Sequence, residues 1–481
     1  MGSLSALDQP LQYPIARRDE SVVDDYHGEK IPDPYRWFVA EPSAWVHREP
    51  RRWVRLRTQA RGLPRTQLLE VLLHSNVLGE DGTVSWNKMS VSKDGRYQAY
   101  GHSSSGSDWV TIKVKRIEGK SETFEPDTLQ WVKFSPVNWT HDSKGFFYSR
   151  YPAPKWGENI DAGTETNANL YHELYYHFLG TDQSEDILCW RDSENPKFMF
   201  EGFVTEDGKL TKYIYHCDMS ALPEGLQGFR GKDLLLPFVK LIDQFDALYR
   251  AIANDDTLFT FRTSKGAPRY KLVHVDLKEP NNWIDVIPES EKDVLESADA
   301  VNGNKMIVRY LSNVRNVLEI RDLKTGSFLH QLPLGIGTVH QITAKREDDK
   351  FFIYFSSFLT PGITYECNLG AAGPDMKIIH EISVPGFDHT EFDFHQVFVP
   401  SKDGTKIPMF IMGKKNVDLD GSHPCLLHGY GGFNSSNTAS FDEFHILLAR
   451  HLGAFICIAN IRGGGEVSHI SRLYPVKQVV Y

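Results

Sequence analysis

The chain has 481 residues, a formal net charge of −10, 41% hydrophobic and 24% charged residues, a globular balance with length for several domains. The acidic excess argues against a nucleic-acid binder or a ligand of anionic membranes. No apolar run approaches the roughly 18 residues of a membrane span, and Met1-Gly-Ser-Leu-Ser-Ala lacks the basic-then-apolar pattern of a secretory leader, so the expected location is the cytosol. The five cysteines, Cys189, Cys217, Cys367, Cys425 and Cys457, are widely spaced and sit mostly in apolar runs. They are expected to be buried free thiols in a reducing compartment.

In chain order, the first unusual segment is residues 45–65. It carries Arg48, Arg51, Arg52, Arg55, Arg57, Arg61 and Arg65 with two tryptophans. A solvated helix or an irregular segment is expected there, ahead of a nucleic-acid or membrane patch. From about residue 90 to 360 a turn rich in Asp, Asn or Gly recurs between alternating apolar runs. It falls at Asp94-Gly95, Asp142 to Gly145, Asp207-Gly208, Asn254 to Asp256, Asn302-Gly303 and Asp348-Asp349. Such pairs suit two-residue hairpins in which both central residues have φ > 0. Between the turns Val110, Ile112 and Val114 alternate with Thr111, Lys113 and Lys115. A unit of about 40–50 residues with several strands is the mark of a β-propeller. Six units are expected, with an extra excursion at about 155–185.

From about residue 386 the pattern changes. Gln396 to Met412 reads as a hairpin turning at Asp403-Gly404, and Cys425 to Leu427 as a buried strand. Phe441 to His451 reads as a helix burying Phe441, Phe444, Leu447 and Leu448, and Phe455 to Ala459 as a second buried strand. Strand, helix and parallel strand begin an α/β sheet. Both strands run into glycine-dense turns, His428-Gly-Tyr430-Gly-Gly-Phe433 and Asn460-Ile-Arg462-Gly-Gly-Gly465-Glu466, as strands of an α/β-hydrolase do at an active-site edge. No Gly-x-Ser-x-Gly nucleophile elbow occurs in the sequence, and residues 467–481 do not continue the sheet pattern. Arg462 to Glu466 lacks the ending and spacing of a phosphate loop. His172-Glu173 to His177 is one residue too long for a His-Glu-x-x-His zinc site. No metal and no cofactor are expected.

Several longer motifs stand out: Asp24-Asp-Tyr-His-Gly28, Asp33-Pro-Tyr-Arg-Trp37, Ser105-Gly-Ser-Asp-Trp109, Trp139-Thr-His-Asp142 and Leu179-Gly-Thr-Asp-Gln-Ser-Glu-Asp186. To these add Pro400-Ser-Lys-Asp-Gly-Thr-Lys-Ile-Pro408 and the two glycine turns. On them the chain resembles the prolyl oligopeptidase (prolyl endopeptidase) family, most nearly its plant members, over about residues 11–40 and 71–466. The resemblance implies a seven-bladed β-propeller, here incomplete, joined to the first part of an α/β-hydrolase domain. It assigns residues 1–44 to the hydrolase side, 45–70 to an atypical Arg-rich segment, 71–385 to the propeller and 386–481 to a truncated peptidase domain. It implies a monomeric serine-type endopeptidase that cuts short peptides on the carboxyl side of proline, its triad lying beyond the matched residues.

By the same resemblance Tyr430 donates its hydroxyl to the oxyanion, Phe433 walls the proline pocket, and Phe134 and Met199 face that pocket from the propeller. Three departures are expected to matter. Between Trp37 and about Leu72 the chain is shorter than the family and lacks the first blade. Near Asp207-Gly208-Lys209 a strand and a Gly-Cys-Asp turn bordering the substrate site are missing. After Glu466 the chain diverges. Exon loss, a frameshift or an imperfect gene model would account for them. The alternative to a family peptidase is a non-catalytic propeller binding module or an unstable truncated isoform.

Overall fold

The computed structural model describes residues 23–26, 29–32, 52–57, 68–74, 84–104, 106–117, 123–153, 169–205, 207, 209–212, 215–241, 246–370, 373–432 and 434–465. Two short hairpins come first: β1 (Val23–Tyr26) with β2 (Glu29–Pro32), and β3 (Arg52–Arg57) with β4 (Leu68–His74). The second hairpin corrects the reading of the Arg-rich segment as helical or irregular. Trp53, Val54 and Leu56 are interspersed with arginines, near the period of a strand, and the register shifts between Trp53 and Val54, which breaks the alternation seen in sequence.

Six four-stranded antiparallel blades then follow in chain order among the described residues. The first is β5 (Val84–Val91), β6 (Tyr97–Ser104), β7 (Val110–Arg116) and β8 (Thr123–Val132). The second is β9 (Asn138–Trp139), β10 (Gly145–Arg150), β11 (Glu173–Phe178) and β12 (Ile187–Trp190), and the third β13 (Phe203–Val204), β14 (Lys209–Lys212), β15 (Tyr215–Asp218) and β16 (Val239–Lys240). The fourth comprises β17 (Tyr249–Asp255), β18 (Leu258–Thr263), β19 (Lys271–Asp276) and β20 (Trp283–Ile287). The fifth comprises β21 (Val294–Val301), β22 (Lys305–Ser312), β23 (Arg315–Asp322) and β24 (Phe328–Gln331). The sixth is β25 (Thr338–Thr343), β26 (Lys350–Ser357), β27 (Thr360–Gly370) and β28 (Gly373–Glu381).

Each of the six turn signals joins the first strand of a blade to its second. Only one is a two-residue hairpin, Asp256-Thr257 of the fourth blade, where Asp255 pairs with Leu258; the other five are longer. At Asn302-Gly303 both residues have positive φ, 48° and 67°, but in the first blade only Gly95 does, at 72°. There Ser92 Oγ donates to Asp94 Oδ1 (2.6 Å), which also accepts from the Arg96 amide (3.1 Å). Those local bonds support a longer turn.

Successive blades bury apolar faces against one another. Ile112, Val114 and Leu129 of the first meet Trp139, Phe146 and Tyr148 of the second. Phe147, Leu174 and Tyr176 of the second meet Leu210 and Cys217 of the third. The pattern repeats where Val301, Ile307 and Leu318 meet Val339, Phe351 and Ile353. This stacking explains why a run of blades has a core although a single blade cannot bury both faces.

One polar link crosses the first seam. His177 has no exposed side-chain surface, and its ring nitrogens bond Asp186 Oδ1 (2.6 Å) and Asp127 Oδ1 (2.7 Å). Burial pushes the pKa of His177 down, but the hydrogen bonds to Asp127 and Asp186 outweigh it and raise the group to about 9. A folded pKa raised above the unfolded value adds stability that is complete below the unfolded value and lost as pH rises through the folded one. The unfolding free energy is therefore expected to hold near pH 6 and fall as pH rises through 9, by an amount on the order of 3 kcal/mol for one imidazolium. His177→Gln should abolish this limb in denaturant titrations at several pH values. A variant retaining the full decline contradicts the assignment.

The last sheet has the order β29 (Phe392–Pro400), β30 (Lys406–Lys414), β32 (Phe455–Asn460), β31 (Cys425–Tyr430), with β31 and β32 parallel. Helix α1 (Glu443–Leu452) connects them, its N-cap Asp442 accepting from the amides of Phe444 and His445 and its end marked by Gly453 at φ 62°. Phe392, Phe410, Met412, Ile446, Ala449, Ile456 and Ile458 form its core, which also takes in Val314 and Phe358 from blade turns.

Two expectations fail here. The helix buries Ile446 and Ala449, with Phe441 and Leu448 only half-covered, and leaves Phe444 61% exposed and Leu447 exposed as well. Among the described residues strand β31 lies at the edge of its sheet, and Leu427 is 65% exposed where a buried strand was expected. Four cysteines are buried and free, whereas Cys425 is exposed, its Sγ 3.6 Å from Cys457 Sγ. Burial pushes the Cys217 thiol up to about 11 and that of Cys367 up to about 12, as expected of structural rather than reactive thiols. The tail 467–481 lies outside the described residues, as do residues 155–168 of the excursion at 155–185.

Candidate active site

The C-terminal ends of β31 and β32 lie side by side, with Tyr430 opposite Asn460. Their glycine turns interlock through backbone. A Cβ on Gly431 would collide with the carbonyl oxygens of Ile461 and Arg462, and one on Gly463, at φ 99°, with that of Gly431. Ile461 N donates to Tyr430 O (3.0 Å) and Asn434 N to Gly463 O (2.9 Å). The fully buried Asn460 clamps the following loop, its Oδ1 accepting from Asn437 N (2.7 Å) and its Nδ2 donating to Asn437 O (3.1 Å). That loop reaches the sixth blade, where Thr338 Oγ1 lies 2.7 Å from Thr438 Oγ1 and 2.8 Å from Ala439 O.

Arg462 grips the β29–β30 turn. Its Nη1 lies 2.8 Å from Asp403 Oδ2, and its Nη2 donates to Asp403 Oδ1 (2.9 Å) and Ser401 Oγ (2.7 Å). A guanidinium held bidentately by a carboxylate is a structural tie. Tyr430 is 39% exposed, its phenol lies against Gly432, and among the described residues its hydroxyl has no hydrogen-bond partner. It is a free donor at the end of a parallel strand pair. Phe433 lies outside the described residues.

Phe134 and Met199 sit in the loops after β8 and β12, and each is 45% exposed. Apolar groups left open at loop positions are available to a ligand. Phe134 has φ 54°, as unusual for a bulky residue as Trp131 at 62° and Tyr171 at 64° nearby in the same region. Lys133 Nζ lies 5.1 Å from the Trp109 ring and 5.4 Å from that of Phe134, within cation–π range. Trp109 packs edge-on to Trp131 and Tyr151, each at 5.9 Å.

His172, which sequence reading passed over except as a rejected metal ligand, joins the two loops. Its Nδ1 accepts from Phe200 N (2.8 Å) and its Nε2 lies 3.1 Å from Lys133 O. Its ring nitrogens and those of His177 are thus engaged by protein groups. No hydrogen bond or ring contact joins Tyr430 to the Phe134 and Met199 loops among the described residues.

A cavity of about 340 Å³ opens elsewhere, between the fourth to sixth blades and the 434–438 loop, lined by Arg262, Glu296, Arg309, Asn316, Thr338 and Asn434 among others. Its charges are engaged within the protein: Arg262 Nε donates to Leu295 O (2.9 Å), Arg309 Nη1 to Val339 O (3.0 Å), and Asn316 Nδ2 to Glu296 Oε2 (2.8 Å). Neither Tyr430, Phe134 nor Met199 lines it, so it is a polar seam and not the candidate site.

Residues 51–373 match the family model "Prolyl oligopeptidase, N-terminal beta-propeller domain". Prolyl oligopeptidase A of Amanita bisporigera is 35% identical over 418 residues, covering 82% of this chain and 54% of the relative. The prolyl endopeptidase of Dictyostelium discoideum is 32% identical over 438 residues, covering 82% of this chain and 57% of its own length. The chain thus spans just over half the length of these curated relatives. Among solved structures, prolyl oligopeptidase B of Galerina marginata bound to a 35mer hydrolysis and macrocyclization substrate superposes with a TM-score of 0.73 at 26% identity. That match covers 95% of this chain and 72% of the other.

Proposed function

Because this chain belongs to the prolyl oligopeptidase family, we propose that it carries part of a serine-type endopeptidase site that takes short peptides and acts on the carboxyl side of proline. The observation that carries this reading is the Tyr430 hydroxyl beside the interlocked glycine turns, which has no hydrogen-bond partner among the described residues. A phenol held there suits a donor to an oxyanion, a role worth about 3–4 kcal/mol for a single donor. Phe134 and Met199, with Phe433, would supply the apolar wall for the proline ring.

On this reading residues 71–385 are the propeller, 386–481 peptidase-domain sequence and 1–44 its N-terminal complement, with 45–70 between them. The protein works as a cytosolic monomer without cofactor, metal, nucleic acid or membrane. No helix among the described residues is long and apolar enough to cross a membrane.

A second reading is a propeller that binds proline peptides without cutting them, a role that the six stacked blades among the described residues could serve by themselves.

Affinity for a fluorescent Gly-Pro peptide tests the site common to both readings. Phe134→Ala and Met199→Ala are each expected to weaken binding up to about tenfold. Tyr430→Phe should leave it within about twofold, because an oxyanion donor acts on the transition state and not the ground state. Binding indifferent to both apolar substitutions contradicts the assignment.

A further inference from the structure

We propose that His172 is a positioning residue for the apolar half of this site, setting the gap between Phe134 and Met199 by tying together the backbones beside them. The inference rests on the reading that Phe134 and Met199 face the peptide. The His172 ring is buried. Its Nδ1 accepts from the amide of Phe200, the residue after Met199, at 2.8 Å. Its Nε2 donates to the carbonyl of Lys133, the residue before Phe134, at 3.1 Å. A carbonyl can only accept and an amide N–H only donate, so the ring is the neutral Nε2–H tautomer. It packs at a tilt against Tyr151, ring centroids 4.7 Å apart and planes 50° from parallel.

A second buried side chain closes the same frame. Ser149 Oγ donates to Phe200 O (2.7 Å), while Ser149 N donates to Ser135 Oγ (2.6 Å). The residues on both sides of Phe134 are therefore tied to the single residue that follows Met199, Lys133 through the His172 ring and Ser135 through its own hydroxyl and Ser149. Phe134 and Tyr171, the neighbour of His172, both hold positive φ. Bulky residues keep such a backbone only where the surroundings enforce it. A gap enforced in this way admits a flat pyrrolidine ring in one orientation and gives an alanine side chain little to touch. His172 thus acts on the choice of proline over alanine by way of two other residues and touches no reacting atom.

The test uses the full chain, with acetyl-Gly-Pro and acetyl-Gly-Ala anilide peptides as probes and amide hydrogen exchange at Phe200 as a ligand-free readout. His172→Phe keeps a ring but neither bond. It is expected to speed Phe200 exchange by about 100-fold while distant blade amides stay protected, and to cut the proline-over-alanine affinity ratio about fivefold or more. His172→Gln can accept through Oε1 and donate through Nε2, and should restore both readouts. Should His172→Phe fail to fold, Ser149→Ala loosens the other tie and should lower the same ratio. Unchanged Phe200 exchange and an unchanged ratio in the variant that folds overturn the inference, as does a glutamine variant that behaves like phenylalanine. A wild-type chain with no preference for proline sinks the functional reading itself. A wild-type preference that survives His172→Phe sinks only the role of His172.

Discussion

Purified as these 481 residues, the chain is expected not to hydrolyse Gly-Pro reporter substrates. Acyl transfer by a serine hydrolase needs a nucleophile, a base and an orienting acid held together, and losing the nucleophile or base alone lowers kcat on the order of 10⁶-fold. This polypeptide contains no elbow serine. Tyr430 can still donate to an oxyanion, but a donor has nothing to stabilise when no tetrahedral intermediate forms. Continuous fluorescence assays with purified protein should show no turnover above buffer, and Tyr430→Phe should match wild type. Turnover that disappears in Tyr430→Phe contradicts this expectation and would require a nucleophile outside the elbow pattern.

The second large effect is on solubility. Among the described residues strand β31 is an edge strand, Leu427 is 65% exposed, and Phe444, Leu447 and Leu452 of α1 are exposed too. Unpaired backbone next to uncovered apolar side chains is a template for pairing between chains. Cutting the chain at about residue 386 is a poor test, because Val314 and Phe358 of the blades pack into the core of that sheet and would be uncovered. Leu427→Lys with Phe444→Glu leaves that core intact. The double variant is expected to raise the concentration at which light scattering begins by several-fold, about 1 kcal/mol of association free energy. If the parent chain is monodisperse at micromolar concentration and no less soluble than the double variant, the account of this surface is wrong.

The fold was legible wherever the signal was local. Asp94-Gly95 and Asn302-Gly303 are turns made by their own residues, so they marked blades without knowledge of neighbours, although the bonds of Ser92 and Asp94 altered the turn type. Elements that depend on what lies opposite were not legible. Periodicity identifies α1 but not which stripe is covered: it points to Phe444 and Leu447, while Ile446 and Ala449 are the buried pair. Strand β3 was hidden by the register shift at Trp53.

The site shows the same division. Tyr430 stood out because its glycine neighbours announce close backbone approach. His172 did not, because Lys133 and Phe200 lie 39 and 28 residues away in sequence and only folding brings them to its ring. His177 was equally opaque, since Asp127 is 50 residues distant on another blade.

The central claim is that the Tyr430 turn and the Phe134 and Met199 loops together receive a proline-containing peptide. The most direct measurement is photo-crosslinking with a short Gly-Pro peptide carrying a diazirine beside the proline, followed by mass-spectrometric mapping of labelled positions on the full chain. The account predicts label on the segments holding Phe134, Met199 and Tyr430, competed by unlabelled Gly-Pro peptide and not by its Gly-Ala counterpart. Label confined to other blades, or label on these segments that Gly-Pro peptide does not displace, would contradict it.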